Sequence, residues 1–199
     1  MKATILGLFL ASAAFTFGQI GTLDFVENLG QFPDQVNFKA NLYNGNVYLE
    51  DNCFTFVFHN KEDLDHHHDD VVGMDGEHHH EDAEFVRSHA FKTHFLGANK
   101  ELATSQGVQR AGFYNYFLGN DESKWASNVR RYGIVTQYNV YNDIDLKVYS
   151  KEVHLKYDFI VHPKADVSQI RLQHEGVDAV SLKDGKLVVR TSLGEIVEN

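Results

Sequence analysis

Two histidine triplets, His66 to His68 and His78 to His80, lie twelve residues apart in the similar units LDHHHDD and GEHHHED, each flanked by carboxylates. Neutral imidazole is a good ligand for zinc, copper and nickel, and neighbouring carboxylates orient the rings or add ligands. Alternate residues of an extended triplet share a side. A loop folded back on itself therefore brings His66 and His68 toward His78 and His80, enough imidazoles for a tetrahedral shell. Affinity at such a site falls as pH drops through the histidine range, because the ligating nitrogens must be free of protons, and the surrounding acids favour the protonated rings.

The composition around the triplets points a different way. Residues 61–84 hold ten acids, one base and six of the twelve histidines, a local charge of −9 within a chain whose formal charge is −10. So charged and apolar-poor a segment does not offset the entropy of ordering, and its expected state is a solvated, disordered insertion between two strands. Weak polydentate binding of Zn, Cu or Ni is the alternative.

The remaining chemistry-bearing residues read as structural. Cys53 is the only cysteine and lies in the apolar NVYLEDNCFTFVF, which suits a small half-buried hydrophobe and leaves no partner for an intrachain disulfide. Asp143 and Asp145 in YNDIDLKVY can face one side, as a calcium site would need, but two carboxylates are too few, and Asn142-Asp143 reads as a turn. His89 and His94 stand at odd spacing on one strand and point to opposite faces, which makes them poor co-ligands. His174-Glu175 continues as Gly-Val-Asp without the second histidine of a metalloprotease helix, and no GxSxG, P-loop or GxGxxG occurs. The expectation is a protein that is not an enzyme.

What must position these residues is β-structure. From Phe25 onward, short runs of β-branched and aromatic residues alternate with polar ones and are punctuated by Gly, Asn and Asp. VNFKANLY, NVYLE, CFTFVFH, AEFVRSHAFKTHFL, FYNYFL, YGIVTQYNVY, IDLKVYS, HLKYDFIVH, QIRLQH, AVSLK and KLVVRT read as ten or eleven strands. The fold class expected is all-β, a mostly antiparallel sandwich or layered sheets. Glu50-Asp51-Asn52 and Asp184-Gly185 are the hairpin turns, the second suited to type I′. DESKWASNV is the one expected helical piece, capped by Asn120 or Asp121, with Trp125 plugging the core. A face of exposed tyrosines, Tyr114, Tyr116, Tyr138 and Tyr141, is a third possibility, as a carbohydrate platform.

The N-terminus carries an address. Lys2 followed by an uncharged apolar run from Ile5 to Phe17 and then small residues is the plan of a secretory signal peptide, residues 1–18, with Gln19 first in the mature domain of residues 19–199. No later apolar run is long enough to span a bilayer, so no transmembrane segment is expected after cleavage. The acidic balance argues against nucleic acid as a partner, since phosphate contact needs a basic surface. TSLGEIVEN stops directly after strand-like sequence, and the chain reads as a fragment of a longer protein.

ENLGQ at 27–31 and YNYFLGNDESKWASNV at 114–129, with the stretches around them, resemble the uncharacterised N-terminal β domain of large type IX-secreted surface proteins. In those proteins the domain precedes SBBP-type β-propeller repeats, PKD or immunoglobulin-like modules and a gliding-motility-associated sorting domain. The resemblance covers nearly all of the mature chain and brings no catalytic residues with it. It implies a secreted, extracellular or cell-surface address, or a periplasmic one without the sorting domain. It also implies a non-catalytic structural or interaction role, with adhesion as one setting, and as partners the downstream modules of the same protein and a surface glycan or protein.

Overall fold

A computed structural model describes residues 23–64, 85–99 and 103–198. The strands in chain order are β1 (Phe25–Glu27), β2 (Phe38–Leu42), β3 (Gly45–Leu49), β4 (Cys53–His59) and β5 (Ser88–Phe95). Next come β6 (Ala103–Gln106), β7 (Gln109–Tyr116), β8 (Ala126–Tyr132), β9 (Ile134–Tyr141) and β10 (Ile144–Lys151). The last are β11 (His154–Val161), β12 (Leu172–Glu175), β13 (Ala179–Lys183), β14 (Lys186–Thr191) and β15 (Gly194–Glu198). They form three antiparallel sheets: an eight-stranded one in the order β12-β5-β4-β3-β2-β1-β8-β7, a four-stranded one, β11-β10-β9-β6, and a three-stranded one, β13-β14-β15. The expected all-β, layered antiparallel architecture is the one observed.

Alternation builds the core. In CFTFVFH the side chains of Phe54 and Phe56 are buried and that of Phe58 half-buried, while Thr55 and Val57 take the other side of β4. These rings meet Phe91 and Phe95 of β5, and across the sandwich they meet Tyr157 and Phe159 of β11, with Phe54 to Tyr157 at 5.9 Å and Phe95 to Phe159 at 6.1 Å. Val135, Val140, Ile144, Leu146 and Val148 come from the four-stranded sheet and Val189 from the three-stranded one, so a single cluster joins all three sheets.

Both predicted turns form. Asp184 (φ 52°) and Gly185 (φ 76°) both lie in the left-handed region, as a type I′ connection between β13 and β14 requires. Glu50 N–H donates to the Cys53 carbonyl at 2.9 Å and closes the β3 to β4 turn. Gly45 is demanded by close approach rather than by a turn: a Cβ there would lie 2.0 Å from the Val57 carbonyl oxygen on the paired strand.

The short helical turn expected in DESKWASNV forms, and one expectation beside it is corrected. Asp121 caps a 3₁₀ turn over Glu122–Lys124, accepting from Ser123 N–H at 3.1 Å, and the chain then enters β8, which is held on both sides by β1 and β7. Pairing on two flanks overrides the weak local helical preference. Trp125 is not a core plug: it is 39% exposed, sits at the exit of that turn, packs edge-on against Phe117 at 5.7 Å and donates from Nε1 to the Gly119 carbonyl.

Candidate functional site

The four candidate metal ligands His66, His68, His78 and His80 lie outside the described residues. The neck of the insertion that carries them is described. The Asp63 carboxylate accepts from Arg87 Nη2 at 2.7 Å, Arg87 Nε at 2.9 Å and Arg87 N–H at 2.8 Å, and Asn60 N–H donates to the Arg87 carbonyl at 2.8 Å. A bidentate carboxylate–guanidinium pair thus ties the two ends of the insertion together where β4 and β5 separate. Among the described residues no group of three or more His, Cys, Asp or Glu is arranged to hold a metal ion.

The other candidate residues are engaged within the fold. Cys53 is buried at 6% exposure, and burial pushes its thiol pKa up, the opposite of a reactive thiolate. Asp143 and Asp145 do not share a site. Asp143 (φ 58°) is in the β9 to β10 turn, whereas Asp145, 7% exposed, fills an irregularity in the ladder and accepts from Asn139 N–H at 2.8 Å, with His162 Nε2 at 2.8 Å from its other oxygen. His89 lies between the Ser192 hydroxyl at 2.9 Å and the Gly176 carbonyl at 2.8 Å, and His94 Nε2 is 2.8 Å from Glu175 Oε2. Each ring pins a neighbouring strand or loop to β5, as the opposite-face reading expects.

The tyrosine platform does not assemble as a set. Tyr141 is 2% exposed and donates to the Arg171 carbonyl at 3.1 Å, Tyr138 is on the four-stranded sheet, and Tyr114 and Tyr116 are on β7 of the eight-stranded one. Residue type and strand position alone do not reveal which sheet a strand joins.

What the structure does bring together is the pair of motifs that carry the resemblance. In ENLGQ the side-chain amides of Asn28 and Gln31 are spent on the loop itself. Asn28 Nδ2 donates to the carbonyls of Pro33 at 3.0 Å and Val36 at 2.8 Å, while its Oδ1 accepts from Gly30 N–H at 3.0 Å and Phe32 N–H at 3.1 Å. Gln31 donates to the Glu27 carbonyl at 2.6 Å and accepts from Leu29 N–H at 2.7 Å. Glu27 accepts from Arg130 N–H at 2.8 Å, which clamps the loop onto β8. The second motif closes over the first: Phe32 packs edge-on to Tyr116 at 5.7 Å, and Gly30 lies against the Ser123 carbonyl.

This junction forms the β7 end of the eight-stranded sheet, and its outer surface is apolar. Leu29, Phe113, Phe117 and Leu118 are more than half exposed, and Tyr114 and Trp125 about two-fifths. Arg131 stacks over Tyr114, its guanidinium 4.9 Å from the ring centroid, and is held there by Asp24 at 2.7 Å and by the Ala111 carbonyl. On its far side β7 has no strand partner among the described residues. Exposed aromatic and aliphatic side chains thus gather beside a strand edge that is open among the described residues.

No helix of the described residues is long and apolar enough to cross a membrane. No curated protein and no solved structure matches this chain. Residues 25–199 match the family described as Domain of unknown function (DUF7948), a span that takes in both motifs and all fifteen strands of the described residues. The chain therefore belongs to the DUF7948 family.

Proposed function

We propose that this domain is a non-catalytic structural and interaction module of a secreted cell-surface protein, and that it makes contact through the β7 end of its large sheet. The observation that carries this reading is the group of exposed aromatic and aliphatic side chains, Phe113 on β7 and Phe117, Leu118 and Trp125 in the connection to β8, at an edge without a strand partner among the described residues. Aromatic side chains bring large contact area at small entropic cost and dominate the energetics of recognition surfaces. The signal-like N-terminus supports delivery across the inner membrane, and the resemblance to domains of type IX-secreted surface proteins supports an adhesive or presenting role beside other modules.

The Trp125 and Phe117 pair also favours a second reading, a carbohydrate ligand, because the apolar face of a sugar ring packs on such side chains. Both readings are tested by immobilising the mature domain and measuring binding to a polysaccharide panel and to peptides from candidate neighbouring modules, beside a Phe117→Ser, Leu118→Ser, Trp125→Ser variant. The expected result is binding to one class, weakened at least about tenfold in the variant while its melting temperature stays within about 5 °C of the parent. Equal binding by both proteins would reject the β7 surface as the contact, and selective polysaccharide binding would favour the glycan reading.

A further inference from the structure

Over the middle of the large sheet, β11 is the last strand of the four-stranded sheet and β15 the last strand of the three-stranded sheet, and both sheets cover the same face of the eight-stranded one. Among the described residues no backbone hydrogen bond joins these two edges. One side-chain bond spans them, from the Tyr157 hydroxyl to Glu198 Oε2 at 2.7 Å. Between them lies a cleft of about 570 Å³ with Leu155 and Tyr157 on one wall and Ile196 and Val197 on the other. Its floor is Leu42, Phe56 and Phe58 of the large sheet. Phe58 stacks on Phe56 at 6.1 Å and on Phe91 at 6.2 Å yet remains only half-buried, because no strand lies over it.

We infer that this cleft is a strand-acceptor site, filled by an extended polypeptide segment of a partner with apolar side chains at alternate positions. Seven strands face eight, and one inserted strand would join the two small sheets into a layer of equal width. Its backbone would satisfy both open edges, and its inward side chains would cover Leu42 and Phe58. β15 is five residues long and sets the length of the matched segment at about five residues. An inserted strand pairs on both sides, so it must come from a segment free of any sheet of its own. The described strands of this chain are all paired in their own sheets, so a second folded copy does not supply one, and a net charge of −10 opposes its approach. Lys156 on one wall and Glu198 on the other offer both signs of charge to the polar face of the incoming strand.

The test is amide hydrogen exchange of the mature chain with a nine-residue peptide that alternates Val and Thr between terminal lysines, beside a peptide of the same composition with its valines in one block. The expected result is at least tenfold slower exchange in both 154–161 and 194–198 with the alternating peptide and no change with the block peptide. Phe58→Lys, checked for fold by circular dichroism, loses that protection. Leu42→Lys at the rim of the floor serves the same purpose if Phe58→Lys does not fold. Protection on one edge alone, protection at the edges of β7 or β13 instead, or no protection at all overturns the proposal. A concentration-dependent dimer protected on these same two strands reassigns the cleft to a second copy and overturns the assignment to a partner.

Discussion

At the scale of single residues, Asn28 shows why a motif specific enough to identify a family need not mark a reactive centre. Its amide holds five backbone groups between Gly30 and Val36, donating and accepting from one planar group. Asn28→Ala strands several of those groups, and we expect a loss of about 2–3 kcal/mol in urea unfolding; a loss below about 0.5 kcal/mol would sink this account of the motif. His174 gives a pH prediction. Burial lowers its pKa, and its Nδ1 lies 3.0 Å from the Thr93 hydroxyl. The unfolded chain, with the ordinary histidine value of about 6.5, then binds the proton more readily than the folded chain. The stability contributed by the neutral ring is therefore present above that pH and is lost as pH falls through it. Denaturant midpoints at pH 7.5 and 5.5 should show a larger acid-side loss in the parent than in His174→Gln, and equal losses would contradict the assignment.

At the scale of elements, the neck between β4 and β5 explains how so acidic an insertion fits a folded layer. Asp63 and Arg87 close the ends, and the His59 and Ser88 pair continues the ladder beneath them, so the strands do not depend on what lies between. Deleting residues 65–82 while keeping Asp63 and Arg87 should move the melting temperature by less than about 4 °C, roughly 1 kcal/mol for a chain of this size. A fall of more than about 10 °C would show that the segment packs on the sheets. The same deletion tests metal capture by His66, His68, His78 and His80. Calorimetric titration with Zn²⁺ should show any heat at pH 7.5 shrinking at pH 5.5, because protonated imidazole cannot ligate, and vanishing in the deletion. Zinc binding that survives the deletion would place a site elsewhere in the chain.

At the scale of the whole molecule, net charge is concentrated in one stretch of sequence. The insertion of residues 61–84 carries −9 of the formal −10, while many of the exposed large apolar side chains lie at the β7 end, on β13 and around the cleft between β11 and β15. Strand edges at β7, β11 and β15 are open among the described residues. Export is the matching expectation. The product recovered outside the inner membrane should begin at Gln19 by N-terminal sequencing, and a stable cytoplasmic product beginning at Met1 would contradict the signal reading.

Local pattern alone determined the class of this fold. Alternation in CFTFVFH, IDLKVYS and KLVVRT, and the paired positive-φ residues Asp184 and Gly185, depend only on neighbours in the chain, and for that reason they were legible without coordinates. Tertiary structure decided whatever depends on which strand lies beside which. SNVRRY became a strand because β1 and β7 flank it, and Trp125 came to the surface in the connection between β7 and β8, outside both strands. Tyr141 went to the core while Tyr114 faced Arg131. Asp145 became the plug of an irregular ladder, a role set by Asn139 and His162 rather than by Asp143 two residues away. The open edges at β7, β11 and β15 were beyond the reach of sequence for the same reason: an edge is defined by the strand that is not there, and sequence periodicity reports only a strand's own two faces.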